Sequence, residues 1–121
     1  MSAMSVITKI LATLVGLEFL YIMYLESVMT TSATTSKLFG MSQEELKRPS
    51  VNALFKNQGI YNGLIGCLVF IAVMVFASKA AVMVLMGYII LVAIYGSVTV
   101  DTSIWWKQGG LAILTLLSGL F

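Results

Sequence analysis

LEFLYIMYLE, residues 17–26, places two carboxylates, Glu18 and Glu26, inside a stretch otherwise apolar enough to cross a bilayer. The apolar run around it extends over about residues 5–29, and roughly 20 apolar residues suffice to span the hydrocarbon. Its position near the N-terminus invites comparison with a secretory signal. The run is longer than the roughly 7–15 residue core of such a signal, however, and carries Glu18, Tyr21, Tyr24 and Glu26. At about 1.5 Å per residue, Glu18 falls near mid-bilayer and Glu26 about 12 Å further along, near an interface. An ionisable residue at depth costs about 2.5–3.5 kcal/mol on insertion scales, so both acids are candidate functional groups. Desolvation favours the neutral form of a carboxyl, which makes Glu18 a proton carrier by position. The alternatives are structural: Glu18 as a hydrogen-bonded strut between helices, and Glu26 as a side chain reaching interfacial water.

Composition sets the class. Of 121 residues, 60% are hydrophobic and only 10% charged, against about 25% charged in a soluble domain. The chain is expected to be a single-domain, all-α, polytopic integral membrane protein with the lipid bilayer as its main solvent. A net charge of +2, dispersed along the chain, gives no footprint for nucleic acid. Cys67 is the sole cysteine, so no intrachain disulfide forms, and helix packing is its expected role. With no histidine and no cysteine cluster, no metal site and no cofactor is expected, and a histidine-dependent triad is excluded.

Three further apolar runs give an expected bundle of four transmembrane helices at about 5–29, 53–77, 80–98 and 104–121, with a loop at about 30–52. The loop opens with TTSATTS, which has neither the apolarity to insert nor the pattern of a firm helix, and its serines, threonines and asparagine read as solvated. Ser42 followed by Glu45 has capping-box spacing, so Gln43 to Lys47 forms a short helix stopped before Pro49. Leu38, Phe39, Met41 and Leu46 read as an interfacial element dipping into the headgroups.

The second helix enters the membrane as KNQGIYNG, residues 56–63. At about 100° per residue, Asn57, Gln58, Tyr61 and Asn62 share one arc, with Gly59, Gly63 and Gly66 on an adjoining stripe. Gly59 and Gly63 have the small-xxx-small spacing that lets helix backbones approach, whereas the amides either line a cavity or bond across helices. Ser78 and Lys79 are the polar break of a helical hairpin, and Tyr88 and Tyr95, seven residues apart, share a face. Trp105, Trp106 and Lys107 read as an interfacial anchor. In the last run, Gln108, Ala112, Thr115 and Gly119 form a small and polar stripe expected to face other helices. Gly96 and Gly109 join the glycines assigned to packing.

Four spans place both termini on one side of the membrane. Lys37, Lys47, Arg48, Lys56 and Lys107 then lie on one side against Lys9 and Lys79 on the other, so the 30–52 loop is expected in the cytoplasm and the termini outside, in the plasma membrane. Glu26, Asn57, Gln58, Tyr95 and Gln108 then fall at one depth, Tyr61 and Asn62 a turn deeper, and Tyr21 and Glu18 deeper still. This predicts a polar funnel closing on Glu18, formed by the candidate proton- or ligand-binding residues Glu18, Tyr21, Glu26, Asn57, Gln58, Tyr61, Asn62, Tyr95 and Gln108.

LExxYIxxLE of the first helix, KLFG of the loop, then NQGxYNG, IYG and QGG in this order resemble the domain of unknown function 1304 family of small four-helix membrane proteins, over essentially the whole chain. The resemblance highlights Glu18, Tyr21, Glu26, Asn57, Gln58, Gly59, Tyr61, Asn62, Gly63, Tyr95, Gly96, Gln108 and Gly109. It implies no activity. The chain departs from the family pattern at Phe19, where histidine is common, at Thr34 and Ser36, where basic residues are expected, and at Leu111, where proline is usual. A histidine-dependent role could not operate here.

The leading functional expectation is a proton-coupled transporter or binder in which Glu18 exchanges a proton for a small cationic or polar solute, acting as a homodimer because the chain is too small to alternate access alone. An intramembrane enzyme acting on a lipid or isoprenoid is the second, with Glu18 or Glu26 as general acid or base, although no nucleophile–base pair supports it. A structural or regulatory membrane subunit is the third.

Overall fold

The computed structural model describes residues 4–121, and no strand is present among them. The helices are α1 (Val6–Met23), α2 (Ala33–Phe39), α3 (Gln43–Lys47), α4 (Pro49–Phe70), α5 (Lys79–Thr99), α6 (Ile104–Lys107) and α7 (Gly110–Ser118). A π-helical turn extends α1 over Tyr24–Val28, and another extends α4 over Ile71–Val75. Val6–Val28, Pro49–Val75 and Lys79–Thr99 are each long and apolar enough to cross a membrane.

Apolar side chains cover the outer faces of the spans as well as the core. On the first span, Ile10, Leu14, Leu17, Tyr21, Tyr24 and Val28 are exposed, at alternating steps of three and four residues, while Thr8 and Glu26 are buried. Polar groups turned inward and a continuous apolar seam turned outward are what a hydrocarbon solvent selects.

Three boundaries differ from the sequence expectation. The second long helix begins at Pro49 rather than near residue 53, because proline suits the first helical position and Arg48 before it is extended. The 30–52 segment is not a plain loop. Ser32 caps α2 by accepting from the Thr35 amide at 3.1 Å, and Gly40, at φ 65°, closes it in the left-handed conformation that glycine adopts without penalty. The expected helix over 104–121 is interrupted at Gln108 and Gly109, giving the short α6 and α7.

The described chain divides into two compact units, one of Leu17–Cys67 and the other of the residues through Gly16 together with Leu68–Phe121. In the second of these, α5 packs on both α6 and α7. A Cβ on Gly96 would lie 3.1 Å from Ile104, one on Gly109 would lie 3.1 Å from Ala93, and one on Gly119 would strike the Met83 side chain. The pairs 96/104, 93/109 and 83/119 define an antiparallel register. Ala112, Thr115 and Gly119 are buried and Gln108 is half-buried. Thr8 Oγ1, buried, meets Ser118 Oγ at 2.8 Å and Ser5 Oγ at 2.9 Å, tying the start of α1 to the end of α7. Ser78 caps α5 through the Ala81 amide at 3.1 Å, following Ala77, which is held at φ 47°.

Between α5 and α6, Asp101 Oδ1 accepts from the Ser103 amide and from its hydroxyl, each at 2.9 Å. The amide first and the hydroxyl second hold the Asp101 carboxyl below the usual carboxylate range. Lys107 Nζ lies 5.8 Å from the centre of the exposed Trp106 ring.

In the Leu17–Cys67 unit, Leu46 is fully buried, and Phe39 packs edge-on against Phe55 with ring centres 5.3 Å apart. These two therefore fasten the connecting segment instead of dipping into headgroups. Cys67 is exposed, so the packing role expected of it is not one it has within the chain.

Candidate functional site

The Leu17–Cys67 unit is built on the close approach of the first span to α4. Gly59 permits it: an added Cβ would strike Ser27 Oγ and lie 3.0 Å from Glu26 Cβ. One turn along, a Cβ on Gly63 would strike the Met23 sulfur, and Gly66 is buried. Ser27 Oγ donates to the Lys56 carbonyl at 2.7 Å, fixing the two helices in register.

This approach brings Glu26 against Gln58 and Asn62, one helical turn apart on α4. Gln58 Nε2 donates to Glu26 Oε2 at 2.5 Å and Asn62 Nδ2 donates to Oε1 at 2.6 Å. The Glu26 side chain is fully buried, yet each carboxyl oxygen has a donor. The same amide arc therefore splits by face. Half-buried Asn62 and the partly accessible Gln58 reach the carboxylate, whereas Asn57 and Tyr61, also exposed, do not.

Glu18 is different. It is half-buried, and its Oε1 is buried without accepting any hydrogen bond. Tyr21, one turn beyond it, is 53% exposed on the outer seam. Two carboxyls of one helix thus have opposite surroundings, the one saturated by amides and the other unpartnered at a buried oxygen.

In the other unit, Tyr95 is exposed, Gln108 is half-buried, and Gly96 and Gly109 make the helix contacts given above. That unit also holds an apolar cleft of about 420 Å³ beside Leu68, Ile71, Phe76 and Val84, with no polar residue in its lining. It offers nothing to a charged solute. Among the described residues, no three potential metal-ligating side chains converge.

Residues 13–120 match the family described as "Protein of unknown function (DUF1304)". The chain belongs to this family. It is also 56% identical over 119 residues to the uncharacterized protein YpaA of Lactococcus lactis subsp. lactis (strain IL1403), covering 98% of this chain and 100% of that protein. No solved structure matches the chain. The DUF1304 match takes in both acids and both amides that bind Glu26.

For this DUF1304 member, sequence reasoning missed the threonines that hold the acid in place. The π-helical turn over Tyr24–Val28 frees backbone carbonyls that a regular helix would bond, and side chains satisfy them. Thr30 Oγ1 donates to the Glu26 carbonyl at 2.6 Å. Thr35 Oγ1 lies 2.9 Å from the Leu25 carbonyl and 2.8 Å from that of Met29. Both threonines are buried, where the sequence read them as solvated. A threonine four residues after a helical acid is the signal that was there to find, since its hydroxyl returns to the carbonyl one turn back.

Proposed function

We propose that this DUF1304 protein is an integral membrane protein that binds a small cationic or polar solute at Glu18 in exchange for a proton. The observation that carries the reading is the buried Glu18 oxygen with no hydrogen-bond partner. A buried carboxyl must carry its own proton or meet a cation or donor from elsewhere. Both occupants need the same group, so solute binding releases the proton. Glu26, with a donor on each oxygen, is the strut that fixes the first span against α4.

The proposal includes four crossings. The antiparallel register of α5 with residues 104–119, and the Thr8–Ser118 bond, support a chain that returns along α5 to end beside its own start. The four helical residues of α6 and the nine of α7, at 1.5 Å each, cover about 20 Å, so this crossing requires a locally thinned bilayer. With four crossings, the positive-inside distribution puts the 30–52 loop in the cytoplasm and both termini outside the plasma membrane. A chain this small alternates access as a homodimer.

The test is proton release from purified protein in weak buffer on addition of cationic and neutral amphiphiles, with Glu18→Gln beside the wild type. Saturable release with cations only, lost in the variant, is the expected result. No release, with a folded variant of lowered stability, would make Glu18 structural and defeat the proposal.

A further inference from the structure

We infer that Glu18 receives its cation from the hydrocarbon side, so that the solute is a lipophilic organic monocation seated between the Glu18 carboxylate and the Tyr21 ring. This deepens the solute-binding reading and rests on it.

Depth and exposure carry the inference. Glu18 lies 12 residues from the start of the Val6–Val28 span and 10 from its end, which is about 18 Å and 15 Å of helix respectively. A lipid headgroup at either surface does not reach that level. Yet Glu18 is only half-buried, and its neighbours Leu17 and Tyr21 are 52% and 53% exposed on the apolar seam. The group that answers the carboxylate must therefore travel within the bilayer.

It must also bring its own positive charge. The sequence holds no lysine or arginine between Lys9 and Lys37, between Lys56 and Lys79, or between Lys79 and Lys107. Lys9 and Lys56 stand near the ends of their spans, so no span carries a basic residue at its middle, and a second copy of the chain packed on this seam would supply no cation at mid-span. Charge complementarity thus selects a membrane-partitioned cation over a second protomer.

Tyr21 sets the chemistry of that cation. It sits at i+3 from Glu18, on the same side of the helix, with its ring presented outward. An aromatic ring one turn from a carboxylate in low dielectric favours a diffuse organic cation over a hydrated ammonium, which would leave its water at greater cost. Leu17 adds an apolar wall.

Equilibrium dialysis of tetraphenylphosphonium against the full-length protein in detergent micelles tests this, with empty micelles as the blank and methylammonium and guanidinium as hydrophilic comparators. Saturable binding of tetraphenylphosphonium is expected, abolished by Glu18→Gln and weakened about five- to thirtyfold by Tyr21→Leu. Tyr21→Phe should recover most of that loss, and Tyr88→Leu on α5 should change nothing. Binding of methylammonium through Glu18 with no binding of tetraphenylphosphonium would overturn the inference and leave the solute-binding reading standing. No cation bound and no proton released by a folded protein would overturn both. If Glu18→Gln altered only the sedimenting mass, the seam would be an interface between copies and the inference would fail.

Discussion

Glu18 and Glu26 are two turns apart on one helix, and the difference between them is one of partners. Glu26 is saturated because Gly59 and Gly63 let α4 approach closely enough for Gln58 and Asn62 to reach it. Gly59→Ala should therefore force Ser27 aside and destabilise the protein by about 1–3 kcal/mol, as overpacking does. Gly87→Ala is the matched control. A Cβ at Gly87 meets nothing within 4 Å, so the change should be neutral or stabilise by up to about 1 kcal/mol through helix propensity, as thermal unfolding in detergent would register. Asp101, beyond the end of α5, supplies a pH dependence. Its folded-state pKa is depressed by the Ser103 amide and hydroxyl, so the stability it contributes is complete above the unfolded value of about 3.9 and is lost as pH falls through the lower folded value. A carbon-detected NMR titration should place Asp101 below the usual range and return it upward in Ser103→Ala, where the hydroxyl is gone and the amide remains. At this scale the glycine spacing and the anomalous acids were legible in the sequence. Which amide meets which acid was not, because Asn57 and Gln58 are adjacent and only the packed partner helix selects between their two faces.

The π-helical turn at the end of the first span is the element that aims Glu26. One extra residue in the turn changes the direction of the side chains it carries, Glu26 among them, and carbonyls at this helix end are taken up by Thr30 and Thr35. Thr35→Val keeps the shape and removes the hydroxyl, leaving the Leu25 carbonyl without that donor, while the Met29 carbonyl keeps the Ser32 amide. It should cost about 1–3 kcal/mol and speed amide exchange over residues 24–29 relative to the rest of the span. The long apolar runs were legible because hydropathy averages over 20 residues and tolerates local irregularity. The π turn was not, since a single inserted residue barely disturbs that average. The interruption at Gln108 and Gly109 escaped notice for a related reason: the run is apolar on both sides of it. The helix over Ala33–Phe39 was hidden in a threonine-rich stretch, where the Ser32 cap and the Gly40 terminus outweigh weak propensity.

At the level of the whole chain, the exposed apolar seam makes hydrocarbon the natural solvent, while the number of crossings rests on the register of α5 with residues 104–119. Short reporters fused separately to each terminus should be accessible from the same side of intact cells under four crossings, and from opposite sides if the chain crosses three times. The two acids divide the labour, and one paired measurement separates them: unfolding midpoint and cation-driven proton release, recorded in the same detergent, for Glu18→Gln and Glu26→Gln. Glu26→Gln turns one oxygen into a donor facing a donor and should lose about 1–3 kcal/mol of stability while keeping proton release below its midpoint. Glu18→Gln should keep its stability within about 1 kcal/mol, as no existing hydrogen bond to the buried oxygen is broken, and lose release entirely. The opposite pairing, a destabilised Glu18→Gln that still releases protons beside a stable Glu26→Gln that does not, would contradict the account.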